Sequence, residues 1–158
     1  VKTLLPLLAA LAAVSACDKK PETAAAPAAM AARPAVAAPA GPAPSRVETD
    51  TYAVALAATA AGGTLTLTAR PPLHINPDYP AAFKPDPGPV GFGSARVSLG
   101  QEQKKPCAAK AEDTCESVST LTYTGGAAGA SVSGTVQFSV CEPEKCLIEK
   151  VRVASAIP

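Results

Sequence analysis

Between Ala130 and Val153 the chain carries a two-residue alternation broken by a short acidic segment between two cysteines, and no other stretch limits the fold as tightly. Ala130, Val132, Val136, Phe138 and Val140 alternate with Ser131, Ser133, Thr135, Gln137 and Ser139, and Gly134 is the one gap on the apolar side. A period of two marks a strand with one buried face. After Cys141 come Glu142-Pro143-Glu144-Lys145, then Cys146, then a second apolar run from Leu147 to Val153. If residues 142–145 close a hairpin, Cys141 faces Cys146, Val140 faces Leu147, Val136 faces Val151 and Gln137 faces Lys150. Apolar residues then meet apolar ones and polar meet polar, and a slip of one residue would undo every pairing. Only Glu149 opposite Phe138 and the outward Ile148 run against this register.

The same period recurs upstream. Tyr52, Val54 and Leu56 share one face, and after Gly62-Gly63 the residues Leu65, Leu67 and Ala69 alternate with Thr64, Thr66 and Thr68. Further strands are expected near 94–99 and 117–124, the latter leading into Gly125-Gly126. Prolines at 71, 72, 77, 80, 85, 87 and 89 mark the stretch from Pro71 to Gly93 as loop-rich. About seven short strands without a helical period predict an all-β domain over 47–158, an immunoglobulin-like two-sheet β-sandwich, with a small barrel as the alternative. Its 112 residues carry nine Lys/Arg and eleven Asp/Glu, a net charge of −2. That length suffices for one core.

The amino-terminal third is different material. Lys2 precedes a Leu/Ala run from Leu4 to Val14 that is too short to span a bilayer, and the run ends in Val14-Ser15-Ala16-Cys17. This resembles a bacterial lipobox, which implies a signal peptide over 1–16 and acylation of Cys17 with palmitate-type chains. Several acyl chains on one residue anchor a protein stably. Asp18 at the next position tilts the expected location toward the inner membrane. Residues 18–46 include 12 Ala and 6 Pro among 29 residues. Prolines at that density break any helix, so 17–46 reads as the lipidated cysteine followed by a disordered, semi-extended Ala/Pro-rich linker. The expected place is the cell envelope, lipid-anchored and facing the periplasm.

With Cys17 assigned to lipid, Cys107, Cys115, Cys141 and Cys146 remain, an even number in an exported domain. Three connectivities are possible, and the hairpin favours 141–146 with 107–115. Chain entropy assigns such short loops only about 2–2.6 kcal/mol each. Parity places Cys141 in line with Ser139 and Gln137, and Cys146 in line with Lys150 and Arg152, so both sulfurs are expected near solvent. A disulfide exposed at a hairpin end is open to thiolate attack. Lys145 favours a thiolate at Cys146, whereas Glu142 and Glu144 oppose it. The competing reading is a structural staple, and Cys107 and Cys115 are expected to close a charged loop as a structural disulfide.

The segment from Leu121 to Val153, with its Cys141-Glu-Pro-Glu-Lys-Cys146 turn, resembles the amino-terminal periplasmic domain of the disulfide-interchange protein DsbD. Leu73-His74-Ile75-Asn76-Pro77, followed by Tyr79-Pro80, is similar to a segment of related disulfide bond corrector-type domains. The resemblance implies an immunoglobulin-like fold, a redox pair at Cys141 and Cys146, and envelope partners such as a thioredoxin-like or DsbD-like redox protein. It also implies a cap over the pair, for which the corresponding stretch is Gln103 to Glu116, a stretch without an aromatic residue. Without the resemblance, His74 reads as a loop or core hydrogen-bonding residue, and His74-Ile-Asn-Pro-Asp-Tyr-Pro80 as turn chemistry with Tyr79 packed down.

Other classes fit poorly. A net charge of +1 and six aromatic rings argue against nucleic-acid binding. One histidine and cysteines with seven and four intervening residues do not form a zinc site, so no metal is expected. No phosphate-binding glycine loop or nucleophile elbow calls for a cofactor. The alternative to an exchange module is a non-enzymatic envelope lipoprotein whose disulfide-stapled sandwich binds a protein.

Overall fold

A computed structural model describes residues 43–158. The expected leader over 1–16, Cys17 and the Ala/Pro stretch up to residue 42 lie outside them. The described residues hold ten strands and no helix: β1 Arg46–Glu48, β2 Tyr52–Thr59, β3 Gly62–Ala69, β4 His74–Ile75, β5 Ala82–Pro85, β6 Val97–Ser98, β7 Gln103–Pro106, β8 Thr114–Leu121, β9 Ser131–Cys141 and β10 Cys146–Ala156. All pairings are antiparallel. Strands β1, β2, β3 and β8 lie side by side with β7 on the far edge of β8, while β10, β9, β5 and β6 form a second run. The two-residue β4 joins them, because Ile75 pairs with both Thr114 of β8 and Val140 of β9.

The two runs close on each other as a sandwich. Tyr52 of β2 meets Phe138 of β9 edge to face at 5.1 Å. The Ala58 amide of β2 donates to Ser155 Oγ of β10 at 3.2 Å. Between the runs lie Val54, Leu56, Leu65, Leu67, Ile75, Leu121, Val136, Phe138, Val140 and Val153, all buried. Phe92 bridges the rings of Phe83 and Tyr123 at 5.6 and 5.4 Å. Five of the six aromatic rings thus serve the core, and Tyr79 is the one that does not.

The β9–β10 hairpin has the register its alternation predicts, with Cys141 opposite Cys146, Val140 opposite Leu147, Gln137 opposite Lys150 and Val136 opposite Val151. The mismatched Glu149 is accommodated by the Tyr52 hydroxyl, which donates to its Oε2 at 3.3 Å. Elsewhere the strands are shorter and more numerous than expected. The 94–99 strand shrinks to Val97–Ser98, while β4, β5 and β7 form within stretches that read as loop. Each is short; β4 and β5 gain their hydrogen bonds from β9, far along the chain, and β7 from the strand that follows it, β8.

Gly134, the gap in the apolar face of β9, has a packing cause. A Cβ there would stand 2.5 Å from Lys84 O and 2.5 Å from the Phe83 ring. Backbone and a fully buried ring would both have to move. Gly134→Val should therefore cost about 2–3 kcal/mol through overpacking, read as a lower urea midpoint at unchanged slope.

Candidate functional site

The hairpin end is built by the turn that closes it. Glu142 N donates to Lys145 O at 2.8 Å and Lys145 N donates to Glu142 O at 3.4 Å, which leaves Pro143 and Glu144 at the tip. Cys141 and Cys146 are then the next pair, one without mutual backbone bonds, and in such pairs opposed Cα atoms come closest. Their Cα atoms are 4.0 Å apart and the disulfide is formed. Cys107 and Cys115 form the second disulfide. It closes a loop held by Cys107 N to Asp113 O, Lys110 N to Cys107 O and Asp113 N to Lys110 O. Cys115 is the extra residue of a bulge, since Lys105 pairs with Glu116 and Pro106 with Thr114.

The expectation that both hairpin sulfurs lie near solvent fails for one of them. Cys141 is only 4% exposed, whereas Cys146 is partly open. Parity places Cys141 on the outward face, but β4 and the turn after it flank and cover that face. His74 pairs with Cys141, and Asn76 N donates to Ser139 O at 2.9 Å. The Asn76 side chain is pinned at its oxygen, where Asp78 N donates to Oδ1 at 3.0 Å. Its Nδ2 donates to Cys146 Sγ at 3.7 Å. Further down β9, Gln137 Nε2 donates to the Tyr79 hydroxyl. The cover over the pair is therefore the 74–79 segment, with an aromatic residue, and not the 103–116 stretch. Residues 103–106 of that stretch are spent on pairing with β8.

Two polar groups beside the pair lack ordinary solvation. Ser139, two residues before Cys141 on the same face, is 1% exposed, and its hydroxyl has no hydrogen-bond partner. An unpaired buried hydroxyl costs about 1–3 kcal/mol. His74 Nδ1 lies 3.6 Å from Asp113 Oδ2, with both side chains about one-fifth exposed (20% and 21%). Lys110 Nζ approaches the same carboxylate at 3.4 Å.

β4 also keeps the disulfides apart. It stands between β8 and β9, so Cys115 and Cys141 are separated by two strand spacings, about 9.6 Å. Sulfur exchange needs Cα atoms within about 7 Å. Direct transfer between the two pairs would require β4 to leave the sheet.

Sequence reasoning missed Asn76 and Ser139. Asn76 read as a turn residue, which it is, and Ser139 as one more outward polar position. Only the fold brings them to the sulfurs. Among the described residues no group of three or more His, Cys, Asp or Glu is placed to hold a metal ion. No family model matches the sequence, and comparison with curated proteins and with solved structures found no similar chain.

Proposed function

We propose that this protein is a lipid-anchored thiol–disulfide exchange module of the bacterial envelope, with an immunoglobulin-like sandwich of the DsbD amino-terminal type, and that Cys141–Cys146 is its working pair. The observation that carries the reading is the asymmetry of that pair. One sulfur is buried under the 74–79 segment. The other is partly open and receives a hydrogen bond from a pinned amide.

The asymmetry assigns roles. A partner thiolate attacks Cys146 Sγ, the accessible sulfur, and a mixed disulfide forms as the 141–146 bond breaks. The electron pair of that bond goes to Cys141 Sγ, which takes up a proton. The partner's second thiolate then attacks its own sulfur in the mixed disulfide and releases Cys146. Two electrons have moved into the domain, and the partner is oxidised. In the reverse direction Cys146 is the nucleophile, and the Asn76 amide stabilises its thiolate.

A second reading keeps both disulfides structural on a protein-binding lipoprotein, and the burial of Cys141 favours it. The reduction potential separates the two. In glutathione buffers, with alkylation and mass mapping of each cysteine, Cys141–Cys146 should reduce above about −250 mV while Cys107–Cys115 stays closed. If both pairs resist reduction until the fold melts, the staple reading stands.

A further inference from the structure

We infer that the outward face of β5, β9 and β10 beside the disulfide is a docking floor for an acidic protein partner. The inference rests on the exchange reading and adds what kind of partner approaches the pair. Pairing across the three strands sets Ala82, Gln137 and Lys150 in one row and Lys84, Thr135 and Arg152 in the next. These rows continue the face that carries Cys141 and Cys146. All of these residues except Arg152 line, together with Arg96, a depression of about 310 Å³ with no acidic side chain in its lining.

The cations there differ in how they are held. Arg152 is neutralised by Asp86 at 2.7 Å. Arg96 Nη1 donates to Gln137 Oε1 at 3.3 Å, which fixes the guanidinium over the floor without cancelling its charge. Lys84 and Lys150 have no ion-pair partner among the described residues. Three uncompensated positive charges thus gather on a domain whose net charge is −2 over residues 47–158. The turn beyond the disulfide carries Glu142 and Glu144 against Lys145, a net charge of −1. The field along this face therefore runs from negative at the tip, across the sulfurs, to positive on the floor. Such a gradient orients a partner as well as attracting it.

Distance selects the partner's size. Lys150 is four residues along β10 from Cys146, about 13 Å at the rise of an extended strand. Glutathione has its cysteine in the middle of a tripeptide, and an extended chain spans at most about 3.6 Å per residue. Its carboxylates lie within one residue of its cysteine, well short of the Cα-to-Cα span from Cys146 to Lys150. A protein with acidic side chains about 13 Å from its reactive cysteine can reach it, and half-buried Ile148 offers an apolar contact on the way.

The test uses the full-length chain and two reduced, extended cysteine peptides. One carries Glu four and six residues from its cysteine, and the other carries Gln at those positions. Each rate of reducing Cys141–Cys146 is divided by the rate with uncharged dithiothreitol. The Glu peptide should react about tenfold faster at low ionic strength, and the advantage should vanish in ~0.5 M salt as screening shortens. Lys84→Gln/Lys150→Gln should abolish the preference, and Lys84→Glu/Lys150→Glu should reverse it. Equal normalised rates for the two peptides in the native chain would overturn the docking floor and leave exchange intact. If neither peptide nor dithiothreitol reduces the pair, exchange itself fails. The floor is then judged by fluorescence anisotropy with the Glu peptide bearing Ser for Cys: salt-sensitive binding lost in the double glutamate variant supports it, and no binding refutes it. Equal peptide rates together with lysine-dependent binding to phosphatidylglycerol vesicles would assign the face to a membrane surface and refute the acidic protein partner.

Discussion

Cys141→Ala should form a mixed disulfide with oxidised glutathione, through Cys146, at least about tenfold faster than Cys146→Ala does through Cys141. Both variants lose the same cross-link, worth about 2 kcal/mol by chain entropy, so any general loosening of the hairpin is common to them. What differs is the sulfur left behind. In Cys141→Ala the remaining thiol is partly open to solvent and faces the Asn76 amide. In Cys146→Ala it is the buried one, beneath the segment that starts at His74. A thiol withdrawn from water ionises reluctantly, and only the thiolate attacks. Mass spectrometry of a time course reads both rates, with Cys107–Cys115 kept closed as an internal control. Equal rates, or a faster Cys141, would reverse the assignment of attacking and resolving sulfurs and leave the Asn76 contact with a structural role only.

The reason this asymmetry was not legible in the sequence is specific. Alternation tells on which side of a strand a residue lies, and it placed Cys141 with Ser139 and Gln137 correctly. It cannot tell what rests on that side. The covering segment lies some seventy residues upstream, in a proline-rich stretch with no periodicity. His74–Ile75 is a strand only because β8 and β9 flank it. The same holds for β5, whose four residues include a proline and become a strand by pairing with β9 at Gln137 to Gly134. By contrast, β3 and the β9–β10 hairpin carry their instructions locally, in Thr/Leu alternation and in a register that sets Val140 against Leu147, Val136 against Val151 and Gln137 against Lys150. The two register exceptions proved informative: Glu149 faces Phe138 because Tyr52 reaches its carboxylate, and Ile148 lies on the open face near the disulfide. The basic floor was half visible. Lys150 and Arg152 share a face with Cys146 by parity, but Lys84 and Arg96 arrive from other strands and loops.

Phe138→Ala should be the costliest single truncation in the fold, lowering stability by about 3–5 kcal/mol. Domains of this size hold only about 5–15 kcal/mol in all. The ring is fully buried and is the piece of β9 that meets Tyr52 of the opposite layer. Removing it leaves a void between two runs of strands whose backbones are each fixed by their own ladders, so the site cannot collapse to fill it. Tyr52→Phe tests the same contact differently. It keeps the edge-to-face ring pair and removes only the hydroxyl that donates to Glu149, so it should cost about 1 kcal/mol. Urea unfolding of the oxidised protein reads both, and the disulfide supplies a discriminating detail. Phe138 lies three residues before Cys141, on the strand that presents it, yet the hairpin end has its own closure through the Glu142–Lys145 turn. Loss of the ring should therefore lower global stability far more than it raises the rate at which Cys146 reacts in the native state. A loss below about 1 kcal/mol for Phe138→Ala would mean that the two layers are held together elsewhere. A parallel jump in Cys146 reactivity would mean that the cover over the sulfurs depends on the core packing behind it.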